Sequence, residues 1–220
     1  MKTHQALLGM FCLLATAAVA RPIPERVQSA KKVVVNRMTS SFPIPAWVVD
    51  KSKCVAALKV VKAGLGWGGQ GSTGLVTCRT DENVWSEPSF FHVSGVNFGF
   101  QIGVQFLESV ILFITDFARE LLNHPTFQVG AEASFAAGPV GGGPEVGQLP
   151  DASLLSYQRA FGLYAGATIN GFVLSHDSAL NARAYGQEVF ASELLKTPGA
   201  QAPAAVKPFV DTMNTYLPAK

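Results

Sequence analysis

Residues Lys62 to Gly74 read KAGLGWGGQGSTG, and six of these thirteen positions are glycine. Glycine loses more backbone freedom on folding than any other residue. A chain that concentrates so many in one place needs a bend, a bulge or a close backbone approach there. The same texture returns at Asn97–Gly103 (NFGFQIG), Gly138–Gly147 and Gly162–Gly171. Between these segments lie short apolar runs, and Asn97–Gln105 alternates cleanly, with Phe98, Phe100, Ile102 and Val104 on one face. The pattern calls for bent, tightly packed antiparallel strands and not for a catalytic loop.

The remaining elements follow from periodicity. Val27, Ala30, Val34 and Met38 recur at three- and four-residue steps, which predicts an amphipathic helix over Glu25–Met38. Pro43 and Pro45 suit the first turn of a short helix running to about Ser52. Strands are expected at Val55–Val61, Gly71–Arg79, Ser89–Val93, Asn97–Gln105, Glu108–Ile114, Phe127–Phe135 and Leu154–Ile169. Thr115 is placed to cap a helix to about Asn123; Ser178–Leu195 and Ala204–Leu217 supply the last helices. Strands follow one another without intervening helices through the middle, which favours a single α+β domain over a parallel doubly wound one.

Met1 to Ala20 has a short polar start, an apolar run and Ala18-Val19-Ala20 before Arg21, the layout of a cleaved signal peptide. The reading is an exported protein, periplasmic or secreted, whose 200-residue mature chain forms one domain. Residues 21–62 hold nine Lys/Arg against Glu25 and Asp50, a net +7, whereas residues 63–220 carry −6. Such asymmetry points either to an anionic partner for the N-terminal end or to a solvated helix face. The first helix likewise fits an interfacial helix or one docked on a core. For Cys54 and Cys78 the residues favour two buried thiols over a disulfide, although export would permit the bond.

Gly66–Gly71 (GWGGQG) formally matches a dinucleotide fingerprint, but STGLVTCR after it reads as strand where a helix would be required. His92, His124 and His176 are widely spaced, with His124 and His176 in turn-like, exposed surroundings. Glu87, Glu108 and Glu132 show no pairing, and no Gly-x-Ser-x-Gly elbow exists. Neither a cofactor, a nucleotide, a metal nor nucleic acid is implied, and the chain is read as a non-enzyme.

Ile44–Gly74, IPAWVVDKSKCVAALKVVKAGLGWGGQGSTG, resembles the opening of a SYLF domain, with its Ile-Pro start, Lys-rich step and Lys-Ala-Gly-aromatic-Gly sequence. Later matches keep the family's order: Trp85–Ser89, Phe98–Gly103, Gly130–Val140, Ser156–Leu163 and Asn181–Gly186. Cys54 stands where the family usually has glycine. The resemblance implies a basic amphipathic segment at 21–43 ahead of a SYLF-like domain at 44–217. It further implies a bent glycine-rich antiparallel sheet, barrel- or sandwich-like, with flanking helices. The function it implies is non-catalytic binding of anionic phospholipid, and in eukaryotic members phosphoinositide and actin binding. The expected lipid contacts are Arg26, Lys31, Lys32, Arg37, Lys51, Lys53, Lys59 and Lys62. The alternative is a structural or protein-interaction module without lipid specificity.

Overall fold

A computed structural model describes residues 22–129, 135–137, 152–166, 169–170 and 172–218. Within the strands, side chains are described for residues up to 61, 71–95, 106–128 and 154–159, and again from 173. The signal-like segment, Glu132 and the Gly/Pro stretch 138–150 lie outside the described residues.

Two strands of 25 residues, β1 (Cys54–Cys78) and β2 (Ser89–Phe113), dominate the molecule. They pair antiparallel from Cys54↔Phe113 to Val76↔Ser89, with the register shifting between Leu65 and Trp67 inside the glycine-rich stretch. Both strands are thus continuous through the glycines where the sequence reading broke them, because the ladder carries the backbone past residues of low strand propensity. The second edge of β2 is shared. β5 (Leu154–Gly166) pairs with its C-terminal half, β6 (Ile169–Asn170) and β7 (Phe172–His176) with its N-terminal half. β3 (Thr126–Val129) pairs with β7, and β4 (Phe135–Ala137) lies parallel to β5, a local exception to an otherwise antiparallel sheet of seven strands.

The sheet is curled so far that β1 returns to its own start. Its first and last residues, Cys54 and Cys78, are joined by a disulfide, and Arg79 N donates to Lys53 O at 2.8 Å. This corrects the expectation of two free thiols. They are 24 positions apart in sequence, and only the fold of the strand brings them together. Gly74 sits at the closest approach of the two halves, where an added Cβ would lie 2.5 Å from Ala57 O and 2.8 Å from Leu58 Cβ. No side chain fits there.

Strand alternation then sorts residues onto two faces. The concave face is filled by Cys54, Ala56, Leu58, Val76, Phe91, Leu107, Ile111 and Phe113 with Phe127 and Leu174 from β3 and β7, all buried. The convex face carries Val55, Ala57, Leu75, Phe90, Val110, Leu112, Leu155 and Tyr157. Against it pack α1 (Ile23–Met38) through Val27, Ala30, Val33 and Val34, and α6 (Lys207–Tyr216) through Phe209, Val210 and Met213. Each such aliphatic burial contributes about 1.5–3 kcal/mol as an upper bound. The first helix is therefore a docked element.

Among the described residues there are four shorter α-helices. They are α2 (Ala46–Lys51), α3 (Asp116–Leu121), α4 (Ser178–Tyr185) and α5 (Ala191–Leu194). Thr115 caps α3 as read from sequence, its hydroxyl accepting from Ala118 N at 3.0 Å. The β1–β2 connection is tied to the C-terminus. Trp85 Nε1 donates to Leu217 O at 2.8 Å, and the Arg79 guanidinium lies 4.2 Å above the Trp85 ring while donating to Pro218 O at 3.2 Å.

Candidate functional site

Among the described residues, the basic side chains expected as lipid contacts do not form one surface. Arg26 is buried at 6% exposure on the docked side of α1, so it presents no charge to a partner. Arg37, half-buried near the end of that helix, donates to Phe42 O at 3.1 Å and to Gln158 O at 2.7 Å, and its guanidinium lies 5.8 Å from the Tyr157 ring centre. Burial beneath that arginine pushes the Tyr157 hydroxyl up to about 12. Arg37 thus ties helix, loop and sheet together. Lys53 pairs with Asp116 at 3.1 Å and Lys59 with Glu108 at 3.3 Å. Lys51 lies 5.4 Å over the Trp47 ring. Lys32 is exposed and Lys31 half-exposed on α1; the side chain of Lys62 is among those not described.

What the fold does assemble is a charged rung at the end of α1. Lys59, Glu108 and Arg159 are register partners across β1, β2 and β5 on the convex face. Asn36 Nδ2 of α1 donates to Glu108 Oε2 at 2.9 Å, which fixes where the helix stops covering the sheet. An open cleft of about 480 Å³ lies there, lined among others by Arg37, Ser41, Phe42, Glu108, Tyr157 and Arg159. Around it are large apolar side chains in the open: Phe42 at 65%, Phe106 at 53% and Val61 at 37% exposure. Sequence reasoning counted charge in this segment and overlooked these three.

A second constellation also escaped the sequence. His176 is not the exposed turn residue expected; it ends β7 and is largely enclosed. Its Nε2–H donates to Leu122 O at 2.9 Å, so Nδ1 is the acceptor for the Ser89 hydroxyl, also at 2.9 Å. Asn181 completes the set, donating to Ser89 Oγ at 3.0 Å and accepting from Phe90 N at 2.8 Å. The desolvation of an imidazolium here holds the His176 pKa below its ordinary value. Ser89 is fully buried and no carboxylate orients the ring, so the trio joins β2, β7 and α4 instead of activating a nucleophile. Residues 89, 176 and 181 have no spacing that a sequence motif could reveal.

Glu87 is buried, and burial raises its carboxyl above the usual range. Glu108 is held by Lys59 and Asn36. GWGGQG runs straight through β1 with no helix after it. Among the described residues no group of three or more His, Cys, Asp or Glu could hold a metal ion, and no helix is long and apolar enough to cross a membrane.

Comparison with known proteins gives this geometry a context. Residues 94–216 match the Ysc84 family model, described as Las17-binding protein actin regulator. An SH3 domain-containing protein of Schizosaccharomyces pombe is 32% identical over 213 residues, which cover 89% of this chain and 49% of the relative. SH3 domain-containing YSC84-like protein 1 of Rattus norvegicus is 30% identical over 208 residues, 89% of this chain and 61% of its own length. Protein YSC84 of Saccharomyces cerevisiae is 24% identical over 212 residues, 90% of this chain and 45% of the relative. The chain thus spans about half the length of the curated relatives it matches. No solved structure matches it at a significant level.

Proposed function

The chain belongs to the Ysc84 (SYLF) family, and from that premise we propose that it is a non-catalytic binding module whose target is an anionic phospholipid surface. The observation that carries this reading is the +7 balance of residues 21–62, of which Lys32 and Lys51 are exposed and Lys31 is half-exposed. Lys53 adds to it, since its exposed pair with Asp116 contributes about 1 kcal/mol or less and exchanges readily for another anion, whereas Lys59 stays with the largely buried Glu108. Arg26 and Arg37 leave the proposed contact because both serve the fold.

Export through residues 1–20 belongs to the same proposal. Intact-mass measurement of the exported protein is expected to give a chain starting at Arg21 and carrying no acyl group on Cys12.

Each Lys near an anionic surface contributes about 1 kcal/mol. Lys31→Gln with Lys32→Gln is therefore expected to weaken binding to phosphatidylglycerol vesicles about thirtyfold, with the fold unchanged. Flotation of the purified protein across a salt series measures this. Undiminished flotation of the double variant, or none by the parent, contradicts the assignment.

A second reading has its own support. The family model is described by a protein partner, Las17, and the exposed Phe42, Phe106 and Val61 could equally meet a protein. A parent that ignores vesicles would put this reading first.

A further inference from the structure

Beyond the charged rung the sheet goes on past the end of α1. The next convex-face rung joins Val61, Phe106 and Phe161; the two after it pair positions 63, 104 and 163, then 65, 102 and 165, which hold Ala, Val, Leu and Ile alone. Past the register shift the strands enter the other layer of the curl, and the convex-face rung there is Trp67, Phe98 and Ile169. Polar residues return at Ser94, which pairs with Gly71 and Val173, and then at Thr73, His92 and Ser175. On the concave side of the same stretch the ladder places Gly64 with Gly103, and Gly68 with Asn97 and Asn170. At the base both faces are apolar and both are covered. At the far end the apolar positions are on the convex face, and the concave positions are mostly small or polar.

An apolar-out, polar-or-small-in alternation is how strands are patterned where hydrocarbon lies outside the sheet. We infer that this end of the sheet, the tip, and not the apolar stripe of α1, is the part of the molecule that enters a lipid surface, with positions 106 and 67 on the convex face of its two layers. The inference rests on the membrane reading above and relocates its apolar contact. The occupant is a lipid surface because the band wraps both outer layers of a folded-over sheet. One flat protein partner or one second copy covers one layer, whereas acyl chains surround a tip. The rung at its border, Lys59, Glu108 and Arg159, carries one net positive charge, as anionic headgroups require, and α1 ends beside it at Asn36.

The depth is limited by the edge. β1 pairs with β2 alone among the described strands. Its free backbone groups would be unsatisfied in hydrocarbon. The six residue steps from Val61 to Trp67 extend about 20 Å, short of a bilayer core of about 30 Å. The tip seats at the boundary of headgroups and acyl chains and does not span.

The test uses purified protein and vesicles of phosphatidylcholine with phosphatidylglycerol. Val61→Asp and Phe106→Asp alter side chains that are already exposed, so melting temperatures should match the parent. Flotation is expected to weaken at least tenfold for Phe106→Asp and less for Val61→Asp. Brominated acyl chains should quench a fluorescence component present in the parent and missing from Trp67→Phe. If the Asp variants float like the parent and no Trp67 component is quenched, while Lys31→Gln with Lys32→Gln abolishes flotation, the membrane reading stands and the tip assignment falls. A parent that never floats overturns both. Should Phe106→Asp instead split a dimer, without affecting flotation, the band is an interface between copies and the inference is wrong.

Discussion

The two ends of the long hairpin are built from the same strands and obey opposite rules. At the base, β1 meets itself through Cys54–Cys78, and every apolar rung is covered on both faces. Towards the tip the helices stop at the Asn36–Glu108 hydrogen bond, and the first rung beyond it exposes Val61 and Phe106. A glycine means something different in each place. Gly74 leaves no room for a Cβ, whereas Gly71, three residues nearer the tip, has nothing within 4 Å of one. Among the described residues, the buried clusters that hold the fold lie at the base.

The comparison is sharpened most by substituting those two glycines. Gly74→Ala must push apart Ala57 and Leu58 across the curl and is expected to cost about 3 kcal/mol, the upper end for overpacking. Gly71→Ala should stay within about 0.5 kcal/mol of the parent. Urea unfolding of the pair measures both, and similar losses would mean the glycine-rich stretch is uniformly strained. Next in size is the disulfide. Replacing Cys54 and Cys78 together by Ala should cost about 3 kcal/mol, because the closed loop of 24 residues restricts the unfolded chain.

A smaller effect comes from His176. Its folded pKa lies below the ordinary value because burial disfavours the charged ring. The unfolded chain then binds the proton more readily, so stability is full above about pH 6.5 and declines as pH falls below it. The melting temperature of the parent should drop more steeply from pH 7 to 5 than that of His176→Gln, whatever the variant's stability at neutral pH. The smallest expected change is at Lys53–Asp116, where both side chains are well exposed. Asp116→Asn should alter stability by less than about 1 kcal/mol. A large loss there would show that the base relies on surface charge.

Much of the fold was legible because β2 alternates so regularly and because Thr115 is placed to cap a helix, as its side chain does. The family followed from the spacing of the Ile44–Gly74 and later segments. Strand continuity was not legible. Glycines lower local propensity, so β1 reads as two runs, although its ladder with β2 continues through them. Nor was the disulfide, whose partners meet through curvature that no spacing encodes. The candidate site was legible only in part. Counting charges gave +7, but which charges face water depends on docking, and Arg26 falls on the buried side of α1 while Lys32 falls on the exposed one. The strand Phe172–His176 was missed because it follows closely on Gly171, and with it the Ser89–His176–Asn181 trio.

Amide hydrogen exchange, followed with and without phosphatidylglycerol vesicles, bears most directly on the division between base and tip. Residues 61–71 and 95–106 should exchange faster than the base in the free protein and become protected on vesicles, while 54–58, 74–78 and α1 stay unchanged. Protection confined to α1, or slow exchange of the free tip equal to that of the base, would contradict it.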